Sequence, residues 1–124
     1  MNLKDTLSRI VSLPIDNSFV SKVENLYRTS ISDDVKRVLS ISKEAAFYDD
    51  VSLLRGLSNA EVLNASTDMA VDFLSKHLLP IFDIGDNDYI VYDLAEKCWH
   101  KFNIVDEVKF SKANSLSDYL GQSD

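Results

Sequence analysis

The sequence predicts an α+β fold, with N-terminal helices packed on one face of a mainly antiparallel, meander-like curved sheet. Three observations carry that expectation. Apolar residues recur at helical spacing through the first 40 residues. From Leu78 onward, short apolar runs alternate with turn residues, the grammar of successive antiparallel strands. The chain has 124 residues and only three glycines and two prolines, which suits a single domain over residues 1–124 without long linkers.

The elements follow in order. Leu3, Leu7, Ile10 and Val11 share a helical face, with Asn2 as a cap and Pro14 as the stop. Behind Asp16 and Asn17, a second stripe runs through Phe19, Val20, Val23, Leu26 and Tyr27. Ser32 is placed to cap a third helix. Asp33 and Asp34 sit in its positive first turn, and Val35, Val38 and Leu39 face inward. The period then shortens. Ala45–Tyr48 and Val51–Leu54 read as strands around an Asp49-Asp50 turn. Ser58-Asn59-Ala60-Glu61 is a capping box that starts a short helix. Met69, Phe73, Leu74 and Leu78 space as a further helix to about His77, which Pro80 ends. Ile81–Ile84 and Tyr89–Leu94 pair across Gly85-Asp86-Asn87-Asp88 as a hairpin. Cys98–Phe102 follows a tight Ala95-Glu96-Lys97 connection. Val105–Phe110 reads as an edge strand, and Ser115–Leu120 as a last helical turn ended by Gly121.

Charge is distributed unevenly. The net charge is −7. Residues 1–60 carry eight acids and eight bases, so the excess lies in residues 61–124, with twelve acids and five bases. Between Glu61 and Glu96, eight acids stand against Lys76 alone. Such a field repels nucleic acid and anionic membrane, both of which need basic footprints. It attracts a basic protein and speeds its capture. No apolar run approaches the roughly 18 residues of a membrane helix. The N-terminus does not read as a secretion signal, and the single Cys98 cannot form an internal disulfide, which fits a cytoplasmic location.

Catalytic patterns are missing. Asp83, Asp86 and Asp88 suggest oxygen ligands, but Gly85 stands before the second acid and no glutamate closes a calcium loop. Turn chemistry accounts for them. There is no Gly-x-Ser-x-Gly elbow and no glycine-rich phosphate loop. His77 suits a helix C-terminus. His100 reads as an exposed strand residue, and Cys98 and Trp99 as core. The expectation is a non-enzymatic protein with no cofactor and no metal. Tyr89 and Tyr92 point to opposite faces of one strand, and an exposed tyrosine among acids suits a protein interface.

Leu79-Pro80-Ile81-Phe82-Asp83-Ile84-Gly85-Asp86-Asn87-Asp88-Tyr89-Ile90-Val91-Tyr92-Asp93-Leu94, followed by Trp99, resembles the central signature of the SUKH superfamily, the Smi/Knr-like proteins. In that family a Pro-Ile strand leads to a Gly/Asp-rich turn, then to an apolar strand ending in Asp-Leu and an aromatic strand. The Leu54–Ala65 region and the ending Ser115–Leu120 resemble the family's Leu-Ser-x-x-Glu segment and closing helix. The resemblance is clearest over residues 17–120. Ile31-Ser32 replaces the family's Leu-Pro, and its doubled glycine is reduced to Gly85. The resemblance implies an α+β fold and, for bacterial members, an immunity protein that neutralises a cognate toxin, often a nuclease, by direct contact. The expected contact surface is Asp83, Asp86, Asp88, Asp93 and Tyr89, joined by Asp49 and Asp50 if their turn lies at the same sheet end. The alternatives are a regulatory adaptor of the Smi/Knr type without a toxin partner, and a metal protein or hydrolase using the acids.

Overall fold

The computed structural model describes residues 3–41, 44, 46–49 and 53–120. Six strands form one antiparallel sheet whose spatial order is the chain order. They are β1 (Phe47–Asp49), β2 (Leu54–Gly56), β3 (Leu78–Gly85), β4 (Asp88–Asp93), β5 (Cys98–Asn103) and β6 (Val108–Ala113). In such a meander the β1–β2, β3–β4 and β5–β6 connections leave at one end of the sheet, and the others leave at the opposite end.

The N-terminal helices cover one face. They are α1 (Leu3–Leu7), α2 (Asn17–Tyr27) and α3 (Asp33–Ile41), with a 3-10 turn at Ile10–Ser12. Asp16 caps α2 by accepting the Phe19 amide at 3.2 Å. Leu3, Phe19, Val23, Tyr27, Val35 and Leu39 pack there with Leu79, Ile81, Ile90, Tyr92 and Trp99 of the sheet. Tyr92 and Trp99, paired across β4 and β5, meet edge to face at 5.0 Å. The buried Tyr27 hydroxyl donates to the Leu78 carbonyl at 3.0 Å.

The opposite face is covered as well, by a segment in the middle of the chain. After α4 (Asn59–Leu63), capped by Ser58 and Glu61 as the sequence predicts, come α5 (Ala65–Met69) and α6 (Phe73–Lys76). Ala65, Val71 and Phe73 pack with Leu78, Val91 and Phe102 in a second, smaller core. The helix expected through His77 is therefore two helices. Ala70 turns left-handed after α5, and Asp72 caps α6 through the Ser75 amide at 3.1 Å. The break lets both Val71 and Phe73 reach the sheet. His77, itself left-handed at φ 59°, turns the chain into β3.

Other boundaries also move. Pro80 lies inside β3, where a register shift separates it from Phe82. β2 pairs only as far as Phe82, so the ladder to β2 does not need a proline amide there. The edge strand starts at Val108 and not at Val105, because the Asn103 side chain accepts the amides of Val105 and Asp106 at 3.0 and 2.9 Å and builds a turn from residues 104–107. Val11 and Leu26, expected on apolar stripes, are exposed. The Asn2 cap, Ala45, Asp50, Val51 and Gly121 lie outside the described residues. No helix among the described residues is long and apolar enough to cross a membrane.

Candidate functional site

The sheet end that carries the β3–β4 turn gathers most of the residues singled out by the sequence. Gly85 pairs with Asp88, so the four-residue break narrows to Asp86 and Asn87, at φ 56° and 67°. Two positive values are what a tight hairpin turn of right-handed twist requires. Asp83 accepts the Gly85 amide at 2.9 Å and pairs with Arg55 at 3.3 Å. Arg55 also grips Glu61 at 3.0 Å. Asp88 accepts from the Asn103 amide group at 2.8 Å, and the Asn87 carbonyl accepts the Ile104 amide at 2.9 Å. These two bonds lash the β3–β4 turn to the β5–β6 turn. Tyr89 is half-buried beside them. Burial, and then the Asp83 charge, push its phenol above the usual range.

The sequence reading missed the partners of this surface. Asp106 and Glu107, in the β5–β6 turn, come to the same end as Asp86 and are exposed. Leu53, beside the β1–β2 connection, and Val105 are also exposed there, at 64% and 68%. The usable signal was Asn103 followed by Ile-Val-Asp, an Asx turn hidden inside what looked like a strand.

Two predicted residues do not belong to that surface. Asp49 does lie at this end, but it is fully buried, and it accepts the Leu3 amide at 3.0 Å. Asp93 lies at the far end of β4, is 2% exposed, and accepts the amides of Ala95 and Glu96 at 3.0 and 2.8 Å. Burial works against its charge, but the Glu96 amide and Lys109 outweigh that cost and hold its carboxyl below the ordinary range. Lys109 stands 3.1 Å from Asp93 and 3.8 Å from Glu96.

At that far end the structure also corrects His100, which is buried and not exposed. Strand alternation puts Cys98, His100 and Phe102 on the face that the middle helices cover, a face the sequence reading left open to solvent. His100 Nε2 lies 3.5 Å from Cys98 Sγ, 3.1 Å from Glu96 Oε1 and 3.6 Å from Asp93 Oδ2. Glu96 Oε1 lies 3.8 Å from Cys98 Sγ. Burial pushes the Cys98 thiol up, so it is not an activated nucleophile.

On the helical face, a cleft of about 250 Å³ opens between α1, α3 and the C-terminal 3-10 turn. Leu7, Ile10, Val35 and Trp99 line it, with Asp34 and Lys97 as its charged members. It holds no histidine or cysteine; its polar lining includes Ser32, Ser115, Ser117 and Asn114 beside Asp34 and Lys97. Set against protein-family models, curated proteins and solved structures, the chain matches none of them.

Proposed function

We propose that this chain is a non-enzymatic, cytosolic binding protein of the immunity type, which neutralises a basic toxin domain by covering it. The resemblance of the Leu79–Leu94 signature to the Smi/Knr-like proteins supplies the class. The observation that carries the surface is a single sheet end at which Asp86, Asp106, Leu53 and Val105 are exposed, with Glu107 exposed beside them and paired to Lys76 at 3.2 Å. Acids set among apolar groups suit a partner that is steered by charge and retained by desolvated contacts. Blocking by contact involves no chemistry.

The test combines rescue with salt dependence. Co-expression with candidate basic nuclease toxin domains should restore growth for the cognate one. The Asp86→Asn, Asp106→Asn, Glu107→Gln variant should bind that toxin more slowly and with a shallower dependence on ionic strength. Unchanged affinity and unchanged salt slope would place the contact elsewhere.

A further inference from the structure

We propose that Glu96, Cys98 and His100, with Asp93 beside them, form a binding site for one zinc-class divalent ion. The donor set is of the right kind. A thiolate, an imidazole nitrogen and carboxylate oxygens suit zinc, whereas calcium and magnesium take oxygen ligands. The atoms also converge: one ligand atom from each of Glu96, Cys98 and His100 lies within 4.8 Å of the others.

The spacing is more telling than the proximity. Zinc bonds of about 2.0–2.3 Å place neighbouring tetrahedral ligands roughly 3.3–3.8 Å apart. The distances among the Glu96, Cys98 and His100 donors are 3.1, 3.5 and 3.8 Å, while Asp93 approaches His100 Nε2 at 3.6 Å but lies outside that close group. Those three donors need side-chain shifts of only a few tenths of an ångström to take an ion, and the fourth position falls to water or to a larger movement of Asp93. The scaffold favours this arrangement. Cys98 and His100 alternate onto one face of β5, Asp93 pairs with Cys98 across the ladder, and the Asp93-capped turn brings Glu96 over them. The two β5 donors are buried, while Glu96 is exposed, which leaves an entry path on its side.

Lys109 is the competitor. Its ammonium neutralises Asp93 and Glu96 when no ion is bound, and its side chain is 41% exposed, free to swing outward. On binding, the ion takes the Cys98 sulfur as thiolate, and the thiol proton goes to solvent. A bound ion would tie the β4–β5 turn to both of its strands.

The test uses the reduced full-length chain, titrated with zinc, and with cobalt(II) as the spectroscopic probe. The expected result is a thiolate-to-cobalt charge-transfer band in the near ultraviolet, quenched by zinc. The band should vanish in Cys98→Ser. Zinc affinity should fall by more than about tenfold in Glu96→Gln, a loss that even outer-shell changes produce. Because Glu96 is exposed, that variant leaves the core intact. In Lys109→Met, zinc should bind several-fold tighter. Absence of the band in the wild type, its survival in Cys98→Ser, or equal zinc affinity in Glu96→Gln would each overturn the proposal. These readouts involve no partner protein, so they stand or fall apart from the binding function.

Discussion

The Leu3 amide donates to the Asp49 carboxylate at 3.0 Å, joining residues 46 positions apart through a carboxylate with no solvent exposure. This bond fastens the first helix to the first strand. Replacing Asp49 with alanine leaves a buried donor without this acceptor, and should cost about 1–3 kcal/mol in urea unfolding. Asp49→Asn keeps an acceptor oxygen and should lose clearly less.

The α4 cap has a pH signature. Partial burial disfavours the Glu61 charge, but the Ser58 amide and Arg55 outweigh it and hold the carboxyl below its ordinary value. A depressed folded-state value means that the stabilisation is present above the unfolded value of roughly 4.3 and disappears as pH falls through the folded value. Glu61→Gln should therefore lower the denaturation midpoint at neutral pH and flatten its decline below about pH 5. Ser58→Ala, which removes the other half of the cap, should cost about 1 kcal/mol.

Turn-making and charge can be separated at Asp86. Asparagine tolerates the left-handed conformation as aspartate does, so Asp86→Asn should leave stability within about 0.5 kcal/mol while removing the charge. Asp86→Val should cost about 1–2 kcal/mol, since a β-branched residue resists φ near 56°. Asn87→Gly should be neutral or slightly stabilising in the same assay.

Gly56 is packed shut. A β-carbon there would overlap the Phe47 ring, which itself stands edge-on to Phe82 at 6.3 Å. Gly56→Ala should cost about 1–3 kcal/mol by overpacking. Coupling it with Phe47→Leu should recover part of that loss, and a double-mutant cycle would measure how much.

The elements that could be read from the sequence were those whose signal is local. Asp16, Ser58 with Glu61, and the Asp86-Asn87 pair declare caps and turns through their own side chains and dihedrals, and each appears where its chemistry put it. The α+β class followed from the change of period. Where a tertiary demand outweighed local pattern, the reading slipped. Ala70 looks like a good helix interior, but it bends so that Val71 and Phe73 can reach the second sheet face. Val105 looks like a strand residue, but Asn103 claims its amide. His100 looked exposed because nothing in β5 alone says that Phe73, from the middle of the chain, packs on Phe102 of the same strand face, or that Asp93 and Glu96 close around the imidazole. That omission also hid the donor cluster, although Cys98 and His100 stand two apart, the spacing of one strand face.

Strand order that equals chain order has a kinetic consequence. Connections of two, four and four residues close the β3–β4, β4–β5 and β5–β6 ladders, so these loops cost little entropy to form. The β2–β3 step is the long one, since it spans α4 to α6. The last four strands are thus suited to nucleate folding, with β1, β2 and the N-terminal helices joining afterwards. A chevron analysis should then find Asp49→Ala acting mainly on the unfolding rate, and Val91→Ala mainly on the folding rate. The reverse assignment would put the nucleus at the N-terminal end.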